Sequence, residues 1–84
     1  MYNSFIVEIR DGGRSWHIVA SSGMSYPRIK GKCDNSTHGL AEALNHLRRC
    51  SAQRFVSHTF LGLDPGAPPS DQNFSVVTKR GKVW

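Results

Sequence analysis

Four side chains in the middle of this 84-residue chain are of the types that bind zinc: Cys33, His38, His46 and Cys50. Thiolate and imidazole are ordinary ligands of a tetrahedral site, so their spacing decides whether they can act together. His38 and His46 fall eight residues apart within one helical pattern, roughly 12 Å along a helix axis, whereas the ligands of one ion must converge. His46 and Cys50 share a face at i and i+4, and Cys33 would have to fold back to join them. The spacing therefore predicts no metal centre and makes Cys50 a core side chain.

His38, Glu42 and His46 form an i, i+4, i+8 row that has acid–base potential but reads more simply as a solvated face with weak helix pairs. Glu8 and His17 face one another if the chain around them is a hairpin, an ordinary cross-strand polar pair. The glycines of "DGGRS" close that hairpin and do not open a helix, so they make no phosphate loop. Without paired carboxylates, a nucleophile elbow or clustered ligands, the expectation is a non-enzymatic protein needing no cofactor.

The elements that must position these residues follow from periodicity. "SFIVEIR" (4–10) and "RSWHIVA" (14–20) alternate, which predicts two strands with Phe5, Val7 and Ile9 on one face and Trp16, Ile18 and Ala20 opposite them. A Gly12-Gly13 loop pairs Ile9 with Trp16, Val7 with Ile18 and Phe5 with Ala20. A helix begins after "DNST", with Ser36 or Thr37 as its N-cap, and presents Leu40, Ala43, Leu44, Leu47 and Cys50 on one face. "RFVSHTFLGL" (54–63) and "NFSVVTK" (73–79) predict two more strands, the second with Phe74 and Val76 on one face. Three prolines make "DPGAPPSDQN" between them an exposed loop. The expected fold is a single α+β domain over 1–84 in the order β-β-α-β-β, with a short extra strand possible at 26–32. One amphipathic helix lies on an antiparallel sheet. The first 53 residues resemble, in topology alone, the sheet-type DNA readers of integrase arms and plant transcription factors.

The net charge is +5, and six of the eleven cations lie in two short stretches: Arg28, Lys30 and Lys32, then Lys79, Arg80 and Lys82. Tyr26 precedes the first. As an extended row, the first stretch could follow a line of phosphates, or its lysines could simply guard a sheet edge. Taken together, Tyr26 and the six cations are the expected binding surface. Its partner would be nucleic acid, a nucleoprotein complex or an acidic protein surface.

Two further expectations concern assembly and location. Ile6, Val19 and Val77 fall on the sheet face opposite the core, which suggests a homodimer or a partner protein covering it. No apolar run approaches 18 residues, and "MYNSFIVEIR" lacks the basic start of a signal peptide. With only two cysteines, the chain is expected to be cytoplasmic, with no membrane partner. The leading functional reading is a small binding module acting through a basic surface. The alternative is a protein-binding inhibitor or adaptor of the kind encoded by phages and mobile elements, for example against a host nuclease or CRISPR complex.

Overall fold

Phe5, Val7 and Ile9 alternate with more exposed residues along β1 (Tyr2–Arg10), and all three are buried, as the period of two requires. The computed structural model describes residues 2–21, 29–63 and 65–80. After β1 come β2 (Ser15–Ser21), β3 (Ile29–Lys32), α1 (Ser36–Ser51), β4 (Gln53–Gly62) and β5 (Asn73–Arg80). The five strands form one antiparallel sheet in the order β3-β2-β1-β5-β4, and α1 packs on one face to make a single α+β domain. The order is thus β-β-β-α-β-β: the short extra strand exists, over 29–32. Tyr26, Pro27 and Arg28, which were expected to begin it, lie outside the described residues, as does Lys82.

The β1–β2 hairpin has Ile9 opposite Trp16, Glu8 opposite His17 and Val7 opposite Ile18, as the shared apolar face demands. Beyond them the simple register fails. Val19 is an extra residue in a bulge, so Ala20 lies opposite Ile6 and it is Ser21 that opposes Phe5. The turn takes three consecutive residues with positive φ, Asp11 at 58°, Gly12 at 71° and Gly13 at 87°. The proline-rich connection is not wholly exposed, because Asp71 at its end is buried and clamps this turn. Its Oδ1 accepts from Gly12 N at 2.8 Å and from Gly13 N at 3.2 Å.

The helix is capped one residue earlier than Ser36: Asn35 Oδ1 accepts from His38 N at 2.8 Å. Ala43 and Leu47 are fully buried, and Leu40 and Leu44 are partly so. Cys50, expected in the core, is exposed. In the last turn it falls about 60° round the helix from Leu47, at the margin of the apolar stripe. Cys33 is the buried thiol instead, and its Sγ donates to Gly13 O at 3.2 Å.

Two glycines permit close approaches, Gly31 between neighbouring strands and Gly39 between helix and sheet. A β-carbon at Gly31 would sit 2.6 Å from the Trp16 indole, and one at Gly39 would sit 2.8 Å from Ile9 Cδ1 and 2.9 Å from Cys33 Sγ. Among the described residues, no helix is long and apolar enough to cross a membrane.

These contacts set expectations for denaturant unfolding. Trp16→Ala and Leu47→Ala should each cost about 3 to 5 kcal/mol, and half-buried Leu44→Ala distinctly less. Gly31→Ala should cost about 1 to 3 kcal/mol by overpacking the indole. Ala52→Gly should instead stabilise by about 1 kcal/mol, because Ala52 ends the helix in the left-handed region at φ 54°.

Candidate functional site

The described carboxylates keep to one end of the strands, where Arg10, Arg14, Lys30 and Lys32 lie among them, and leave the cations of the other end without acids. The described acids are Glu8, in the second half of β1, Asp11 in the β1–β2 turn, Asp34 just before the cap of α1, Glu42 in the first half of α1, and Asp71 on the turn. From position 43 to 63 and from 72 onward the sequence has no Asp or Glu, nor does it before Glu8. The strand register brings the start of β1, the end of β5, the start of β4 and the last turn of α1, all within these segments, to one end of the sheet.

At that end Tyr2 lies opposite Lys79, and Lys79 lies opposite Arg54, giving a row across β1, β5 and β4. The row occupies the sheet face away from α1, because the neighbouring Phe5, Val76 and Thr78 alternate into the core. Lys79 Nζ stands 5.8 Å from the centroid of the Tyr2 ring, and Tyr2 as a residue is 64% exposed. Arg80 follows opposite Gln53, and Arg48 and Arg49 occupy the last turn of α1, next to the start of β4. Basic side chains there also suit the negative end of the helix dipole.

Buried Gln53 holds this end together. Its Oε1 accepts from Thr78 Oγ1 at 2.7 Å and from Asn3 Nδ2 at 3.2 Å, which ties β4 to β5 and β1. The connection into it is short: Ala52 N–H donates to Leu47 O, and β4 starts at the next residue. A shallow groove beside the row is lined by Arg54, Phe55, Val56 and Lys79.

The two basic stretches expected to form one surface are held apart. Lys30 and Lys32 are exposed on the edge strand β3, opposite His17 and Ser15. Lys79 is three strands away and near the other end of β1, roughly 14 Å across the sheet and 20 to 25 Å along it. Acids also crowd the neighbourhood of Lys32, where a groove is lined by Asp11, Arg14, Ser15, Lys32, Asp34 and His38. Tyr2, Arg54 and the Arg48–Arg49 pair were not singled out from sequence. The signal that would have found them is the absence of acids, read together with the cations.

The other chemical groups are dispersed or structurally committed. His38 Nδ1 accepts from Asp34 N at 3.1 Å, and its Nε2 lies 3.5 Å from Glu42 Oε1. His46 instead stacks obliquely on Trp16, with ring centroids 5.8 Å apart, and approaches Cys50 Sγ at 3.8 Å. Ser15 Oγ donates to Asp11 Oδ2 at 2.6 Å and contacts His17 Nε2 at 3.1 Å, so the hydroxyl proton points at the carboxylate and not at the imidazole. Glu8, across from His17, pairs with Arg10 at 3.3 Å. Among the described residues, no three His, Cys, Asp or Glu side chains converge as metal ligands.

Burial pushes the Cys33 thiol above its ordinary pKa, and the carboxylates of Asp34 and Glu42 add to the shift. Since the thiolate is the reactive form, Cys33 should resist alkylation near neutral pH. Mass spectrometry after iodoacetamide treatment should find one rapid adduct, on exposed Cys50, and a second only after unfolding.

Comparison with known protein families, with characterised proteins and with solved structures finds no match to this chain.

Proposed function

We propose that this chain is a small non-enzymatic binding module that receives single-stranded nucleic acid at its acid-free end. The observation that carries this reading is the row Tyr2–Lys79–Arg54 on three adjacent strands, with no described carboxylate beside it. A single strand offers phosphates to cations and flat bases to aromatic rings, and the row supplies both within one short surface. Arg80, Arg48 and Arg49 extend the positive field around the end of α1 and would draw a polyanion toward it. Two unpaired thiols fit a reducing, cytoplasmic setting for this role. Lys30 and Lys32 are left outside the site.

The same cations would also suit an acidic protein surface, as a phage-type inhibitor or adaptor would use, but such a partner leaves the exposed Tyr2 ring without a task. Titrations with a fluorescent single-stranded oligonucleotide at several salt concentrations separate these readings. Arg54→Ala and Lys79→Ala should each lower the salt slope of binding by about 0.7, the value for one phosphate on a single strand. Tyr2→Ala should weaken binding by about 1 to 3 kcal/mol with little change in slope. Lys30→Ala with Lys32→Ala should change neither. No binding by the wild type, or slopes indifferent to Arg54 and Lys79, would refute the nucleic-acid reading.

A further inference from the structure

The sheet has two edges of opposite character. The β3 edge is four residues long and carries exposed Lys30 and Lys32, a standard defence against pairing with another strand. The β4 edge is ten residues long, and among the described residues nothing pairs with its outer side. It has no lysine, and it leaves Phe55, Val56, Phe60 and Leu61 exposed by 50, 44, 52 and 53%. A single helix about 10 Å wide cannot cover five strands, and it is the outer strand β4 that is left bare, its Phe55, His58 and Phe60 exposed beside the buried Phe74 and Val76 of β5. There Phe60 and His58 meet Phe74 edge-on, at 5.8 and 5.7 Å between ring centroids, and His58 lies 5.8 Å from Phe55.

The order of side chains along this edge names its occupant. "FVSHTFL", residues 55 to 61, reads nearly the same in both directions about His58. An antiparallel pair of two such strands, related by a two-fold axis at His58, sets Ser57 opposite Thr59, Val56 opposite Phe60 and Phe55 opposite Leu61 of the other copy. Apolar meets apolar, hydroxyl meets hydroxyl, and Arg54 meets Gly62 with no facing charge. The residues Ser57 to Phe60 pair regularly with β5 between two bulges, so the middle of the edge is straight. We infer that β4 is the dimerisation strand of this protein and that a second copy of the chain joins there, extending the sheet to ten strands.

Three further features favour a second copy. Antiparallel pairing sends the two basic ends to opposite corners, which keeps two copies of net charge +5 from facing their like ends. Four half-exposed side chains of this size, with the strand backbone, bury about 1,000 Å² over two copies, the scale at which specific interfaces begin. The outer edges of the dimer are then both β3, guarded by Lys30 and Lys32, so growth stops at two.

Sedimentation equilibrium of the purified protein up to millimolar concentration should give twice the 9.3 kDa chain mass. Val56→Glu and Phe60→Lys, each checked for folding by circular dichroism, should be monomeric alone, since each sets an unpaired charge against an apolar side chain. Mixed one to one they should dimerise again, because one contact becomes a Glu–Lys pair while the other stays Phe–Val. Ile6→Glu, on the sheet face away from α1, should leave the dimer intact, as should Arg54→Ala and Lys79→Ala. A wild type that stays monomeric throughout, a dimer that survives either charge, or folded variants that fail to recombine would overturn the inference. Each of these outcomes is independent of nucleic-acid binding.

Discussion

The close approach of α1 to the sheet at Gly39, beside the Trp16 indole that packs over Gly31 of the neighbouring strand, is the constraint on which the rest of this small fold depends. The indole lies in the space that a side chain at position 31 would occupy, and the first turns of α1 descend onto Ile9 and Cys33 where position 39 has none. With so thin a core, these absences matter more than any single contact. They let Ile9, Ile18, Ala43 and Leu47 reach complete burial under one helix.

From that point the geometry is inherited step by step. The helix starts beside the clamped β1–β2 turn and ends at Ala52, with no slack before Gln53 is seated against Thr78 and Asn3. The five described acids thereby lie toward the β1–β2 turn and the first half of α1, and the cations at the end of α1, the start of β4 and the end of β5 lie near the other end. The arrangement costs little in burial, because Arg48, Arg49, Arg54, Lys79 and Arg80 are exposed and, of the described acids, only Asp71 is buried, in the turn that it clamps. It does carry the mild strain of a left-handed alanine, accepted where the chain must turn from helix to strand at once.

Much of this was legible in the residues. Alternation in β1 and β2 is strong because one face is fully buried, so the strands and the Ile9–Trp16 register could be read directly, whereas the expected two-residue Gly12-Gly13 loop is a four-residue turn from Asp11 to Arg14. The helix face was readable to Leu47, and it failed at Cys50, where a periodic pattern says nothing about how much neighbouring structure remains to cover it. The Val19 bulge was invisible, since an extra residue leaves no mark in an alternating string that already ends nearby. The meeting of the basic stretches depended on sheet order, which pairs β1 with β5 and sends β3 to the far edge. That is a long-range choice with no local signal. The exposure of β4 was hidden for the opposite reason: its residues look like those of a buried strand. Only the width of one helix against five strands reveals that something must be left bare.

The confinement of the described acids to one end also has a kinetic meaning. A body whose charges nearly balance at one end of its strands and are all positive at the other carries a permanent electric dipole, and in the field of an extended polyanion it experiences a torque as well as a pull. It would turn to present the Tyr2 end before touching. The encounter is then oriented in advance and fewer collisions are wasted. Within about a Debye length, roughly 8 to 10 Å in ordinary buffer, that turning is effective, and added salt blunts it by shortening the distance over which the rotation can occur.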